Sequence, residues 1–504
     1  MKPFGEGLRR ICGVTAAPRA RELAKLVRLA VRETPTVELR LDWLRTDSER
    51  EKFLSWLKRG EWKGITFVAT CRRRVGGGEL VGDFGEELYW LIKAREAGCQ
   101  WCDLEVETLR ELPERSVKGF SVPGKVMLSM HDFRRTPVLP KKLWVAGRGE
   151  GDVIKIAAMA RTIGDSVRLL KVAKNSPQMV AVPMGEVGLP ARILALREGS
   201  ALAYAPVAAA TAPGQVSLRE LKELYRAHLL TRKTAVYGVI GNPIEHSLSP
   251  LLHNTGYVAA KKDAVYLPFL VEKLDDFLKA IPEFGVRGFS VTIPHKETVF
   301  RKLDGCEALA EKIGAVNTVT VRRDGSLHGS NTDYLGVLRA LEKKTVLRGS
   351  RVLIFGAGGA ARAAAFAVGR EGAEVFVYAR RENAARNLAR AVGGAAVLRD
   401  VLRKMKFDVM VNATSVGMYP REDVSPLEPA ELNCSLVFDL IYRPLQTKLL
   451  RMAAKKGIQT VSGAEMFVAQ GIAQWELWMK RRAPEAEMRQ TVLGALRAKE
   501  KERD

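Results

Sequence analysis

The sequence lacks long apolar runs and is poor in cysteine and histidine. No stretch approaches the ~20 apolar residues that a membrane-spanning helix needs, and the N-terminus lacks the apolar core of a secretory signal. The six cysteines include one close pair, Cys99 and Cys102, which favours reduced thiols over a disulfide framework or zinc site. The six histidines show no metal-ligand spacing. We therefore expect a cytoplasmic, metal-independent globular protein.

The charge balance is strongly basic, with 81 lysines and arginines against 57 acidic residues in 504 positions. A chain of this length is expected to hold two or three domains. The basic residues are spread along the whole sequence and are mixed with glutamates and aspartates. This distribution favours a basic surface that attracts small anionic ligands, with nucleic-acid binding as the alternative.

The first half alternates short apolar segments with amphipathic helical stretches. Near-continuous apolar strands separated by helices are typical of a parallel sheet covered on both sides, and eight such units match a closed (β/α)8 TIM barrel. We assign this barrel to residues 1–230, ending with a helix over LRELKELYRAHLL before a junction at TRKTA. The predicted strands are ICGVTA, VELRLDWL, ITFVATCR, WCDLEVE, KVMLSMHDF, VIKIAAM, MVAVPMG and LAYAPV.

A second α/β pattern begins at Val236. Its first part contains the strands YGVIGN, AVYLPFLV and GFSVTIP, and Asp324-Gly325 predicts a two-residue hairpin turn. From Arg351 the order strand, GAGGAAR turn, helix, strand EVFVYA predicts a doubly wound Rossmann domain. We expect a two-lobed unit, with one lobe at 235–335 and the nucleotide-binding lobe at 336–465. The helix over about 466–490 is expected to fold back and complete the first lobe.

Charged and polar residues follow the predicted barrel strands at the ends where barrel active sites are built. Lys155 is the only charge in the core of DVIKIA, and burial favours the neutral amine that attacks a carbonyl carbon. His131 can accept and return protons beside an imine, and arginines suit an anionic substrate. For each residue taken singly, a structural role is the alternative. Lys155 would then be an edge-strand lysine that reaches water, and His131 and Asp132 would be a capping pair. The other candidates are Glu38, Arg40, Arg72, Arg192, Thr211 and Gln215.

Several motifs of this half resemble type I 3-dehydroquinate dehydratases over about residues 8–225. They are VELRLDWL, TCR, MHDF, VIKIA, PMGEVGLPAR and TAPGQ. The resemblance implies that Lys155 forms a Schiff base with the substrate ketone. It also implies that His131 removes the adjacent proton and then assists loss of the hydroxyl as water. Arg192, Thr211 and Gln215 would hold the carboxylate end, and Glu38, Arg40 and Arg72 would line the pocket.

The sequence departs from that family at one position. Members often carry a glutamate near the histidine, four residues after the strand-three arginine. This sequence has Gly76 there. The residue that orients His131 must therefore come from elsewhere, and Glu38 is our first candidate.

The second half contains its own set of chemical groups. Ser247 and Ser249 lie two apart in a loop, so both hydroxyls can reach one carboxylate. Lys296 and Asp333 are an acid–base pair of the kind that protonates an alkoxide, although a first-turn lysine and a helix N-cap are the structural alternatives. In the glycine turn, Gly356, Gly358 and Gly359 allow the backbone to approach a pyrophosphate, and Ala361 takes the third small position.

The end of the strand after the glycine turn indicates the cofactor. An acidic residue there would bind a ribose 2′-hydroxyl, but the sequence reads YARREN. Arg380 and Arg381 suit a 2′-phosphate, which favours NADP(H) over NAD.

The order of motifs in this half closely resembles shikimate dehydrogenases over about residues 235–485. The motifs are YGVIGNPIEHSLSPLLHN, VTIPHKE, GAVNT, NTDYLG, GAGGAAR, NATSVGM, DLIYRP and AEMFVAQG. The resemblance implies that Lys296 and Asp333 are the catalytic dyad. Members often have asparagine where this sequence has Ala379. The further residues implied are Thr292, Asn317, Tyr442 and Gln470 for the substrate ring, and Ala357, Ala360, Thr414 and Gly463 for the cofactor.

The two resemblances together imply consecutive steps on one small metabolite. The barrel would dehydrate 3-dehydroquinate, and the second unit would reduce the product to shikimate with NADPH. One alternative is a catabolic quinate/shikimate dehydrogenase that uses NAD, against which Ser249 and the arginine pair argue. Another is an inactive or binding-only barrel, which Gly76 alone favours. We expect small-molecule partners and neither a specific nucleic acid nor a membrane.

Overall fold

The computed structural model describes residues 3–111, 125–138, 153–174, 178–208 and 216–501. The chain divides into two units. One comprises Met1–Ala235 with Leu267–Gly285, and the other comprises Val236–Tyr266 with Val286–Asp504. Within the described ranges, every helix is too short or too polar to cross a bilayer.

The first unit contains an eight-stranded parallel sheet that is nearly closed into a barrel. Its order is β7-β6-β5-β4-β3-β2-β1-β8, and at the seam Ala201 N–H donates to the Met179 carbonyl at 2.8 Å. The eight strands predicted from the sequence are confirmed. They are β1 (Ile11–Thr15), β2 (Thr36–Arg40), β3 (Thr66–Thr70), β4 (Trp101–Glu105), β5 (Lys125–Asp132), β6 (Val153–Met159), β7 (Met179–Met184) and β8 (Ala203–Pro206).

Helices follow most of the barrel strands. Thr162 and Asp165 form a capping box that fixes the start of the helix after β6. The long helix predicted at the end of the barrel is wrong. A π-helical turn at Glu220–Leu224 and a 3₁₀ turn at Ala227–Leu229 are separated by Arg226, whose φ of +47° interrupts the helix. The described α-helices are α1 (Ala20–Glu33), α2 (Asp47–Arg59), α3 (Phe84–Glu96), α4 (Val106–Glu111), α5 (Ile163–Ala173) and α6 (Leu189–Glu198).

Alternation along each strand decides which side chains enter the barrel. In β6, Ile154 and Ile156 pack outward in a cluster with the helices, while Val153 and Ala157 belong to the inner cluster. Lys155 lies between Val153 and Ala157 in this period of two, so it points inward. The same parity places Asp103 and Glu105 of β4 inside. Polar groups at alternate positions of adjacent strands therefore meet in the barrel.

The next six strands form a mixed sheet with the order β10-β9-β11-β13-β14-β12. Strand β11 pairs in parallel with β9 and antiparallel with β13. The strands are β9 (Ala235–Gly241), β10 (Ala264–Leu270), β11 (Val286–Val291), β12 (Gly305–Cys306), β13 (Thr318–Val321) and β14 (Leu327–Ser330). The helices in this part are α7 (Ser249–Ala259), α8 (Leu274–Phe284), α9 (Lys296–Phe300), α10 (Ala308–Ile313) and α11 (Asp333–Leu341).

The turn between β13 and β14 differs from the prediction. Arg322 N–H donates to Ser326 O at 2.9 Å, so three residues rather than two form the loop. Gly325 N–H donates back to Arg322 O at 3.0 Å, and Gly325 has a φ of +86°. This arrangement is typical of a three-residue hairpin, in which a type I turn is followed by a left-handed glycine.

The last sheet has the parallel order β17-β16-β15-β18-β19-β20, which is the doubly wound arrangement expected from the glycine turn. The last long apolar helix, α15, returns to the mixed sheet, where Gln474 Nε2 donates to Thr318 Oγ1 at 3.0 Å. The strands are β15 (Arg351–Phe355), β16 (Glu374–Tyr378), β17 (Ala395–Ala396), β18 (Phe407–Asn412), β19 (Cys434–Asp439) and β20 (Gln459–Ser462). The helices are α12 (Gly359–Arg370), α13 (Glu382–Ala391), α14 (Lys448–Lys455), α15 (Gly463–Met479) and α16 (Glu485–Lys501).

Candidate active sites

Lys155 lies at the centre of a buried polar cluster in the barrel. Its Nζ donates to Asp103 Oδ2 at 2.6 Å and lies 3.6 Å from Glu38 Oε1. It also lies over the ring of Tyr204, 4.4 Å from the ring centre. Lys155 is buried in the barrel, and its neighbours there are not all apolar. Two carboxylates and an aromatic face meet the amine, and Asp103 and Tyr204 were missed from the sequence.

The two candidates on β2 have different neighbours. Glu38 Oε1 accepts a hydrogen bond from Thr70 Oγ1 at 2.8 Å and faces Lys155. Arg40 is paired with Asp42, which accepts from Nε at 2.9 Å and from Nη2 at 2.7 Å. The structure thus brings Glu38 to the lysine and ties Arg40 to a carboxylate of its own strand end.

His131 is oriented by Glu105, which the sequence analysis did not identify. Its Nδ1 lies 2.9 Å from Glu105 Oε1 and 3.1 Å from Oε2. The prediction that Glu38 orients His131 was wrong, because Glu38 faces Lys155 and Thr70 instead. A signal for Glu105 was present in WCDLE, where two acidic residues occupy alternate positions of an otherwise apolar strand.

Arg72 joins the two acidic residues of β4. Its Nε donates to Glu105 Oε1 at 2.5 Å, and its Nη2 lies 3.5 Å from Asp103 Oδ2. Burial alone would raise the pKa of Asp103, but the charges of Lys155 and Arg72 hold it well below its usual range. Burial would likewise raise the pKa of Glu105, but the charges of His131 and Arg72 lower it. Both carboxylates are therefore ionised at neutral pH.

The same charges act on His131. Burial and then the positive charge of Arg72 lower the pKa of His131, while Glu105 opposes the shift. A histidine with a lowered pKa is neutral at pH 7 and can accept a proton. Asp132, the next residue, makes structural contacts instead. Its Oδ1 accepts hydrogen bonds from the N–H groups of Arg134 and Arg135 at 2.9 Å and stabilises the turn after β5.

The remaining barrel candidates follow β7 and β8. Arg192 lies in the first turn of α6, is buried, and donates through Nε to Pro183 O at 2.8 Å. Burial lowers the pKa of Arg192 to about 10, so the guanidinium remains charged at neutral pH. Thr211 and Gln215 lie outside the described residues.

In the second unit, Lys296 and Asp333 form a close pair. Lys296 Nζ donates to Asp333 Oδ2 at 2.5 Å, and Asn317 Nδ2 donates to Asp333 Oδ1 at 2.8 Å. Asn317 also contacts Gln470 Oε1 at 3.3 Å. Lys296 and Asp333 each begin a helix, α9 and α11. The structure thus brings four predicted residues, distant in sequence, into one hydrogen-bonded group.

The hydroxyl candidates lie on loops and at the start of a helix. Ser249 begins α7, and its N–H lies 3.3 Å from Ser247 Oγ. Thr292 N–H donates to Ile240 O at 3.0 Å, which holds the loop before α9 against the end of β9. Tyr442 packs its ring on Phe467 of α15 at 4.6 Å.

The glycine turn has the geometry that a dinucleotide requires. Gly356 has a φ of +112°, and a methyl group on it would lie 3.0 Å from the Ala413 carbonyl oxygen. A methyl group on Gly358 would meet no atom within 4 Å, so open space lies above the turn. Gly359 begins α12, whose N-terminus favours an anion, and Ala357, Ala360 and Ala361 complete the turn. These features fit a bound pyrophosphate.

Other cofactor candidates surround this turn. Arg380 and Arg381 follow β16, and both are exposed. Thr414 is held by Asn412, which accepts from its hydroxyl at 2.7 Å and donates to Asp439 Oδ1 at 3.0 Å. Gly463 begins α15, where a methyl group would lie 2.4 Å from the Leu440 carbonyl oxygen. Among the described residues, no group of three or more potential ligands could hold a metal ion.

The fold and the two clusters define a two-module α/β protein, a lysine-centred barrel followed by a dinucleotide-binding unit. Family models match both parts of the chain. They are type I 3-dehydroquinase over residues 11–231, the shikimate dehydrogenase substrate binding domain over 239–319, and the shikimate 5′-dehydrogenase C-terminal domain over 463–493.

Individual relatives agree with these matches. A chloroplastic bifunctional 3-dehydroquinate dehydratase/shikimate dehydrogenase of Arabidopsis thaliana is 35% identical over 475 residues, which is 89% of this chain and 78% of that protein. A shikimate dehydrogenase (NADP(+)) of Methanopyrus kandleri is 43% identical over 53% of this chain and 97% of its own length. A crystal structure of a shikimate dehydrogenase in complex with NADP+ superposes with a TM-score of 0.50 at 34% identity, covering 53% of this chain and 98% of that one. The chain belongs to the family of bifunctional 3-dehydroquinate dehydratase/shikimate dehydrogenases.

Proposed function

We propose that this chain dehydrates 3-dehydroquinate to 3-dehydroshikimate and then reduces that product to shikimate with NADPH. The observation that carries the proposal is that each unit has its own close lysine–carboxylate pair, which is buried in the barrel and partly buried in the second unit. Lys155 contacts Asp103 at 2.6 Å in the barrel, and Lys296 contacts Asp333 at 2.5 Å in the second unit. Two independent proton-handling sites suit two consecutive reactions.

In the barrel, Lys155 is the nucleophile. The free amine of Lys155 attacks the ketone carbon, and the two protons that the ammonium gives up leave with the ketone oxygen as water, which forms an iminium ion. His131 then removes the adjacent proton, and the C–H electrons move to the iminium nitrogen. The hydroxyl leaves with a proton returned by His131, and hydrolysis of the imine releases the product. Arg192, Thr211 and Gln215 hold the substrate carboxylate, and Glu38, Arg40 and Arg72 line the pocket.

In the second unit, Lys296 donates the proton that completes reduction of the ketone. Asp333 holds the ammonium in place, and Asn317 fixes the other oxygen of Asp333. Ser247 and Ser249 bind the substrate carboxylate, while Thr292, Asn317, Tyr442 and Gln470 bind the ring or its hydroxyls. Bound NADPH supplies the hydride.

NADP(H) is held by the turn and the loops around it. Gly356, Ala357, Gly358, Gly359 and Ala360 bring backbone N–H groups to the pyrophosphate, and Thr414 and Gly463 flank it. Arg380 and Arg381 are exposed, so their guanidinium groups are available for a 2′-phosphate. The lobes are 235–335 with about 466–490 for the substrate and 336–465 for the cofactor, and residues 1–230 carry the dehydration.

Separate assays of the two reactions test the proposal. Purified full-length protein is given 3-dehydroquinate alone, and formation of the conjugated enone is followed by its absorbance. Oxidation of shikimate and of quinate is compared with NADP and with NAD. We expect dehydration, and a strong preference for shikimate with NADP. Quinate oxidation with NAD as the dominant activity would support the catabolic alternative, and absence of dehydration would leave only a binding role for the barrel.

A further inference from the structure

The carboxylate that orients His131 comes from a barrel strand. Both oxygens of Glu105 lie within 3.1 Å of His131 Nδ1. The resemblance to type I 3-dehydroquinate dehydratases implies a glutamate near the histidine at the loop position that is Gly76 in this sequence. In this structure the carboxylate that contacts His131 therefore lies on β4 rather than on the loop.

Gly76 lies directly against Glu105. A methyl group in place of its hydrogen would lie 3.2 Å from Glu105 Cγ and 3.3 Å from Arg72 Cγ. Both distances are shorter than ordinary carbon–carbon contacts of about 3.5–4.0 Å. A larger side chain at position 76 would enter the space that Glu105 and Arg72 occupy.

The neighbouring glycines keep the loop in this position. Gly77 has a φ of +78°, and a methyl group on it would lie 2.1 Å from the Phe133 ring. A methyl group on Gly78 would lie 2.0 Å from the Arg72 carbonyl oxygen. The loop therefore packs closely against the Phe133 ring and against the backbone of Arg72.

We propose that Glu105 is the positioning residue for His131 in this chain, and that Gly76 leaves the space for it in place of a loop glutamate. The proposal rests on the proposed dehydration. The Nδ1–H of His131 donates to Glu105, so Nε2 is left as the proton acceptor that faces the pocket. Glu105 also holds Arg72, so one carboxylate fixes the base and a cation that lines the pocket.

A four-protein cycle in the full-length chain tests this exchange: unmodified protein, Glu105→Ala, Gly76→Glu and the double variant. Glu105→Ala should lower the dehydratase kcat by about 10–100-fold, the scale for loss of an orienting carboxylate. Gly76→Glu alone should also lower kcat, because two carboxylates then compete for one space. In the double variant the new side chain fills the vacated space, and kcat should recover to within about tenfold of the unmodified protein.

A double variant that is no more active than Glu105→Ala would overturn the proposal. Glu105→Gln provides a second test, because it keeps the shape and removes the charge. Glu105 raises the pKa of His131, so this variant should move the acid limb of the kcat/KM profile to lower pH. An unchanged acid limb would also overturn the proposal. Glu107→Gln, two residues along and exposed, is the matched control.

Borohydride trapping separates this proposal from the proposed function. Each protein is mixed with 3-dehydroquinate and borohydride, and the reduced adduct is located by peptide mass. An adduct on Lys155 in Glu105→Ala, with slow turnover, supports a defect in proton transfer rather than in folding or imine formation. Loss of the adduct in that variant would make Glu105 a structural residue and overturn its positioning role. Absence of both turnover and adduct in the unmodified protein would instead overturn the proposed dehydration.

Discussion

The side-chain nitrogen of Lys155 lies over the face of Tyr204, 4.4 Å from the ring centre. The Tyr204 hydroxyl contacts Met127 Sδ at 3.2 Å, which holds the ring in the buried interior of the barrel. A cation over an aromatic face gains about 0.5–2 kcal/mol, more when it is buried. The ring therefore stabilises positive charge on this nitrogen, both as the ammonium and as the iminium.

This relationship predicts different effects for two substitutions at position 204. Tyr204→Phe keeps the ring and should leave the dehydratase kcat within about threefold. Tyr204→Leu removes the ring face and should lower kcat by about 3–30-fold, the rate equivalent of the cation–π contribution. Steady-state kinetics check both values. Equal effects of the two variants would show that the hydroxyl contact, and not the ring face, matters.

The cofactor preference depends on Arg380 and Arg381. Replacing both with glutamine should raise the KM for NADPH and leave the KM for NADH nearly unchanged. Each lost charged hydrogen bond is expected to cost about 1.5–3 kcal/mol. Arg390→Gln is the control, since Arg390 is an exposed arginine on the following helix. Equal use of NADPH and NADH by the unmodified protein would remove the role assigned to the pair.

The pairing of Lys296 with Asp333 predicts a change in kcat rather than in substrate affinity. Lys296→Ala should lower the reductase kcat by about 10²–10⁴-fold, the usual range for general acid–base catalysis. Asp333→Asn should also slow turnover, and the double variant should be far from multiplicative because the two residues act as a unit. Ser247→Ala should mainly raise KM, and Lys312→Ala, an exposed lysine, should change neither. A rise in KM alone for Lys296→Ala would make Lys296 a binding residue.

A buried acid in the barrel predicts a pH dependence of stability. Glu87 on α3 accepts hydrogen bonds from Arg73 at 2.9 Å and Thr108 at 2.7 Å, yet burial raises its pKa to about 7 from the usual 4.5. Because the pKa of Glu87 is raised in the folded state, protonated Glu87 contributes fully to the free energy of unfolding below pH ~4.5. That contribution is lost as the pH rises through ~7. The loss is on the order of 1–3 kcal/mol.

Calorimetry of Glu87→Gln checks this value, because the amide does not titrate. The Tm of the variant relative to the unmodified protein should rise between about pH 5 and pH 8. Glu96→Gln, an exposed glutamate on the same helix, is the control. A Tm difference that does not vary with pH would mean that Glu87 titrates at its usual value.

The barrel could be predicted because its strands are almost wholly apolar and recur at regular spacing. Lys155 stood out as a single charge in such a strand, and the structure places its side chain inside as the alternation requires. In the second unit the ordered motifs named Lys296, Asn317, Asp333 and Gln470, which the structure brings together. The roles of these residues remain predictions.

The partners of the barrel residues could not be predicted in the same way. Which carboxylate reaches His131 depends on the stagger between β4 and β5. The order of residues within each strand does not determine that stagger. Asp103 and Glu105 lie on the inward face of β4, and that face is identified only by the packing of Trp101 inside the barrel and of Cys102 and Leu104 outside it. Arg40 was assigned to the pocket, and its bidentate pair with Asp42 forms only because the chain turns tightly after β2. The prediction of a two-residue hairpin loop was wrong because a left-handed glycine also suits three-residue loops.

The most direct test of the account supplies 3-dehydroquinate and NADPH to the purified full-length protein and measures shikimate. The unmodified protein should form shikimate with consumption of one NADPH per molecule. Lys155→Ala should form none from 3-dehydroquinate but should reduce 3-dehydroshikimate at nearly the unmodified rate, because the second site shares none of its residues. Failure of the unmodified protein to form shikimate, or formation of shikimate from 3-dehydroquinate by Lys155→Ala at the unmodified rate, would contradict the account.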